Sequence, residues 1–182
     1  MKRSKTLKLA LMSASALVLT ACDNGQEAAL FESTEQCGTQ EGFTLEACQA
    51  AEKKAVEEHV RVAPKYTSVA DCEADFGTEK CETAPVQTTS GGSVFMPMMM
   101  GYMMGNMLSG NSRVASQPLY RSKDDPKSFR TGDNQKVGTK TGPTKVPSNI
   151  ARAPSTKTST VRRGGFGTRA SSMGGRTRSF GG

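Results

Sequence analysis

Residues 94–108 read VFMPMMMGYMMGNML, and seven of these fifteen positions, Met96, Met98, Met99, Met100, Met103, Met104 and Met107, are methionine. Much of the apolar content beyond the N-terminal leader lies in this run, so its reading decides how far a folded unit extends. Pro97 suits the first turn of a helix. Gly101, Gly105 and Ser109 then recur every four residues on one helix face, the small-residue spacing that lets helices approach closely in membranes. The run is shorter than the ~20 residues needed to span hydrocarbon. It is therefore expected to lie at a membrane surface or to mediate self-association. Two alternatives stay open. Thioethers are soft ligands that select Cu(I), and Met96, Met98, Met100, Met103, Met104 and Met107 would supply them. Otherwise the run is a flexible apolar patch packed on a neighbouring domain.

Upstream, the chain opens like a secretion signal. Lys2, Arg3, Lys5 and Lys8 form a positive end, and residues 9–19 (LALMSASALVL) form an uncharged apolar core. Leu19-Thr20-Ala21-Cys22 resembles the lipobox of bacterial lipoproteins, in which the cysteine thiol is diacylated and the signal is cut before it. Residues 1–21 are read as signal peptide, Cys22 as the lipidation site and residues 22–30 as anchor and linker. With about 0.8 kcal/mol per buried methylene, two or three acyl chains hold a protein firmly. Asp23 resembles the sorting signal that keeps enteric lipoproteins at the periplasmic face of the inner membrane, with the outer membrane as the alternative destination.

Composition argues against one large core. Hydrophobic residues are 35% of the chain, aromatics 5%, and Trp is absent, too little apolar surface to offset the ordering entropy of the whole mature chain. Charge divides that chain. Residues 23–85 hold fourteen Asp/Glu against five Lys/Arg, a net of −9, and residues 86–182 hold three against fifteen, a net of +12. The expectation is an acidic domain followed by a basic interaction tail. The alternative is a tail folded back on the acidic half.

Setting Cys22 aside leaves Cys37, Cys48, Cys72 and Cys81, an even set in an oxidising compartment. Phe31-x-Ser33-x-x-x-Cys37 matches Tyr66-x-Ser68-x-x-x-Cys72 at an offset of 35 residues, as if one helical element were duplicated. Ser68 with Asp71 resembles a capping box opening a short helix that Gly77 closes. Thr44 caps a longer helix through Cys48 and His59, stopped by Pro64. Short loops close first, which favours Cys37–Cys48 with Cys72–Cys81, although pairing across the copies remains open. No CxxC spacing suggests zinc or thioredoxin-like exchange. His59, the only histidine, reads as a solvated helix residue.

Beyond residue 110 the chain is Ser, Thr, Gly, Pro, Lys and Arg with little apolar periodicity, and disorder is expected. Arg162-Arg163-Gly164-Gly165-Phe166-Gly167 and residues 176–182 (RTRSFGG) look like RGG-type nucleic-acid segments. Export takes them away from nucleic acid. Anionic lipid headgroups or an acidic envelope protein are the partners such charge would meet.

The fold expected is thus a small α-helical, disulfide-stapled domain (residues 31–85, two related copies), a Met/Gly-rich segment (86–110) and a mostly disordered basic tail (111–182). Several blocks together are similar to the YgiB-like family of gammaproteobacterial proteins: Ala63-Pro64-Lys65-Tyr66, Asp71-Cys72 with Phe76-Gly77 and Cys81, Met96-Pro97, Gly101-Tyr102-Met103-Met104-Gly105, Gln117-Pro118-Leu119 and Arg163-Gly164-Gly165-Phe166-Gly167. That resemblance implies no assigned chemistry. There is no His-centred dyad, phosphate loop or Gly-x-Ser-x-Gly, so no enzyme and no cofactor are expected. A membrane-anchored adaptor or structural lipoprotein is the leading function, and Cu(I) handling is its competitor.

Overall fold

The computed structural model describes residues 25–88, 90–105 and 114–173. Cys22 and Asp23, with the signal before them, lie outside these residues, as do Met107 and Ser109. Over its described residues, 94–105, the methionine run is not helical. It forms β3 (Ser93–Pro97) and β4 (Gly101–Gly105), joined through Met98, Met99 and Met100.

Strand β4 sits near the middle of a six-stranded antiparallel sheet. Its neighbours are β1 (Gln26–Phe31) on one side and β5 (Gln117–Ser122) on the other. Beyond β5 come β6 (Asp125–Arg130) and β7 (Lys136–Gly138), and beyond β1 comes β8 (Gly142–Val146). The edge strands β7 and β8 are consecutive in the chain. Gly138 and Gly142 are four residues apart, a span of at most about 14 Å, so the two edges must come close. The sheet curls into a nearly closed, barrel-like form.

Both faces of the central strands β1, β4 and β5 are buried, while β6, β7 and β8 leave residues exposed. Along β1, Ala28 and Leu30 point inward to join Met103, Leu119, Phe129 and Val146, while Ala29 and Phe31 face outward. The outer face is covered by α1 (Thr34–Gly38) and α2 (Leu45–Val62), which bring Cys37, Cys48, Ala51 and Ala55 against Phe31, Tyr102 and Met104. Adjacent Met103 and Met104 therefore lie on opposite sides of one strand, 0% and 4% exposed. A strand buried on both faces reads as a continuous apolar run, which periodicity alone cannot separate from a buried helix.

A third cluster lies where α3 (Val69–Phe76) and the hairpin of β2 (Cys81–Gln87) with β3 pack beside the barrel, around Tyr66, Phe76, Met96, Tyr120 and Phe166. The helix signals operate locally. The Ser33, Thr44 and Ser68 hydroxyls accept from the backbone N–H of Gln36, Ala47 and Asp71. The disulfides are Cys37–Cys48 and Cys72–Cys81, each closing a short loop.

Two expectations are overturned. The protein is mostly β, not a small α-helical domain. The basic half is not a mostly disordered tail: it supplies β5 to β8, α4 (Ser148–Ala151) and α5 (Thr168–Met173). The composition argument failed because the few large side chains are almost all spent on the core. All three tyrosines, Tyr66, Tyr102 and Tyr120, are fully buried. Both faces of the sheet share the same strands, so a modest number of apolar residues serves two cores.

Candidate functional site: a cleft around Lys65

The segment after α2 is the origin of the site. Pro64 ends the helix, and residues 62–66 (VAPKY) run buried toward Tyr66, which bridges Phe95 of β3 in an antiparallel pair. Lys65 goes down with its neighbours and is only 7% exposed. A second strand-like stretch is laid alongside: the Lys157 N–H donates to the Arg61 carbonyl (2.9 Å) and the Val161 N–H to the Lys65 carbonyl (2.6 Å). Between this stretch, the C-terminal half of α2 and the β2–β3 hairpin lies a cleft of about 660 Å³. Its apolar lining comes from Val60, Val86 and Val94, and its polar wall from Thr88 and the hydroxyls of residues 156–160.

Three cations line the cleft, and two are neutralised. Arg61 pairs with Glu58 and donates to the Thr156 hydroxyl, and Lys157 pairs with Asp133. Among the described residues no carboxylate pairs with Lys65. Its Nζ has only long contacts, 3.4 Å each, to the carbonyls of Arg61 and Ala63. Burial first, and then the Lys157 charge, pull its ammonium below the usual lysine range. Among the described residues Glu57 is the only carboxylate on the lining, and it is exposed.

A second polar group is buried under α2. The His59 ring accepts the Tyr120 hydroxyl proton at Nδ1 (2.9 Å) and donates from Nε2 to Glu82 (3.0 Å). Burial lowers its pKa more than Glu82 raises it, so the ring stays neutral near pH 7. Burial also pushes Tyr120 well above the usual phenol range. The solvated-histidine expectation is corrected: His59 is 6% exposed. With both nitrogens engaged it cross-ties helix, barrel and hairpin.

The other candidate residues are not gathered. Met96 lies in the hairpin cluster, Met103 inside the barrel and Met104 beneath α2, while Met98 is exposed and Met100 half-buried. Gly101 and Gly105 are the ends of β4, not two steps along a helix. Among the described residues no group of three or more His, Cys, Asp or Glu could hold a metal ion, and no helix is long and apolar enough to cross a membrane. The RGGFG block, expected in a free tail, folds onto the body. Phe166 packs against Phe76 at 4.8 Å, and the Gly164 N–H donates to Asp75 (2.7 Å). The Asn134 amide exchanges two hydrogen bonds with the backbone of Gly167.

Sequence reasoning passed over Lys65. Its signal was a lone charge inside an otherwise apolar run, flanked by a proline and a tyrosine. What it could not reveal was the wall supplied by residues 156–160, some ninety positions away.

Comparison with known proteins gives a consistent answer. Residues 25–176 match the family described as "Protein of unknown function (DUF1190)". A UPF0441 protein of Erwinia tasmaniensis is 36% identical over 176 residues, covering 87% of this chain and 78% of its own length. UPF0441 proteins of Serratia proteamaculans and Sodalis glossinidius are each 34% identical, covering 87% of this chain and 79% of their own lengths. No solved structure matches the chain.

Proposed function

This chain belongs to the DUF1190 family, with UPF0441 (YgiB-like) relatives, and from that premise we propose that it is a lipid-anchored, non-enzymatic lipoprotein of the cell envelope, working as an adaptor or structural element. The observation that carries the reading is the lipobox ending at Cys22, placed directly before a fold that contains two disulfides. Disulfides persist in oxidising compartments, which is where a processed lipoprotein resides. Strand β1 starts at Gln26, four residues after Cys22. An anchor at Cys22 therefore holds the barrel within about 14 Å of the lipid surface. Asp23 directs it to the periplasmic face of the inner membrane. Basic side chains such as Lys123, Lys127, Lys140, Lys145 and Arg163 are exposed, and anionic headgroups or an acidic envelope protein are the partners they suit.

Fractionation tests this directly. The wild-type protein is expected in the membrane pellet, with an intact mass that shows cleavage before Cys22 and added acyl chains. Cys22→Ala is expected in the soluble periplasmic fraction. A wild-type chain that keeps Met1 and carries all five cysteines as reduced thiols overturns the reading.

A further inference from the structure

We propose that the cleft around Lys65 binds a small organic anion, a carboxylate or phosphate on a short apolar body, with Lys65 as its counter-charge and Val60, Val86 and Val94 as its apolar bed. The inference assumes nothing about the anchor. Taking an ammonium out of water is costly unless it is paired, and among the described residues Lys65 is buried without a carboxylate partner although Asp and Glu are abundant in the same half of the chain. The neighbouring cations do not share this condition, because Arg61 and Lys157 each have an acid. Lys65 lines a cleft whose volume, about 660 Å³, suits a small molecule, and its ammonium is held only by two long contacts to backbone carbonyls. An anion placed there would gain the ammonium, the hydroxyls of Thr156 and Thr158, and the apolar contact of three valines. A cation would meet the Lys65 ammonium, which no carboxylate among the described residues balances. The same cleft therefore selects charge sign and an apolar body at once.

The test uses the full chain, isotopically labelled in zwitterionic detergent, titrated with hexanoate, hexylamine and inorganic phosphate and followed by amide chemical shifts. Hexanoate is expected to give a saturable shift centred on Lys65, Val86, Thr88 and Thr158, at least tenfold weaker in Lys65→Met and largely kept in Lys65→Arg. Hexylamine is expected to produce none, and phosphate a weaker response at the same amides. Equal responses to hexanoate and hexylamine would mark a merely apolar patch and overturn the proposal. So would phosphate matching hexanoate, or hexanoate binding unchanged in Lys65→Met. Thermal melting of the ligand-free protein separates a binding role from a structural one. Removing an unpaired buried charge is expected to raise the Tm of Lys65→Met by about 2–4 °C. A lowered Tm would make Lys65 a structural residue and also overturn the proposal.

Discussion

Gly101 opens β4 with a φ of +154°, and a Cβ there would lie 2.5 Å from the Phe31 carbonyl oxygen on the neighbouring strand. Backbone strain and the clash act together, so Gly101→Ala is expected to destabilise the protein by at least about 2 kcal/mol, measured by urea unfolding. The glycine that looked like part of a helix-contact pattern is instead required by strand pairing. His59 carries a pH signature. Its folded pKa lies below the ordinary 6.5, so between those values the unfolded chain binds a proton that the native chain does not. Stability contributed by the neutral ring is complete above about pH 6.5 and is lost as pH falls toward the folded value. The urea midpoint is expected to drop across that window, and His59→Gln is expected to remove His59's share of the drop. An unchanged pH profile in that variant would refute the assignment.

Among elements, the RGGFG segment is a clasp. Phe166 is 3% exposed and fills the space between Phe76 and Tyr120, while the Gly164 and Gly167 amides are held by Asp75 and Asn134. Phe166→Ala leaves a cavity where α3 meets β5, and a loss of about 3–5 kcal/mol is expected from chemical denaturation. A loss near zero would mean the segment is not fastened as described. The clasp also positions the wall of the cleft, since residues 156–161 run directly before it and are tied to Arg61 and Lys65 by backbone hydrogen bonds. The arginines beside the glycines are exposed at positions 162 and 163, which is how one motif can be both structural and a source of surface charge.

For the molecule as a whole, the acidic and basic halves are one folded unit. Strand β1 from the acidic half is sandwiched between β4 and β8 of the basic half, and Glu27–Lys145 and Glu32–Arg121 pair charges across the division. These ion pairs are partly exposed and each contributes little. Strand pairing and shared cores hold the halves together. Unfolding is therefore expected to be a single transition, with tyrosine fluorescence and far-UV circular dichroism giving the same urea midpoint. Two separated midpoints would restore the picture of an independent acidic domain.

The sequence alone determined what depends on near neighbours. Ser33, Thr44 and Ser68 cap helices because the hydroxyl and its target amide are three residues apart. The disulfides join cysteines only 11 and 9 positions apart, which are local events too. The family resemblance was also legible, because it rests on short contiguous blocks such as Gly101-Tyr102-Met103-Met104-Gly105. What tertiary structure decided was every pairing between distant segments. Met103 and Met104 acquire their different surroundings, one inside the barrel and one beneath α2, only when β1, β5 and α2 enclose β4. Lys65 becomes a cleft residue only when residues 156–161 arrive beside it. Strand partners and cleft walls are set by contacts across a hundred residues, and no local pattern of side chains encodes which distant strand will supply them.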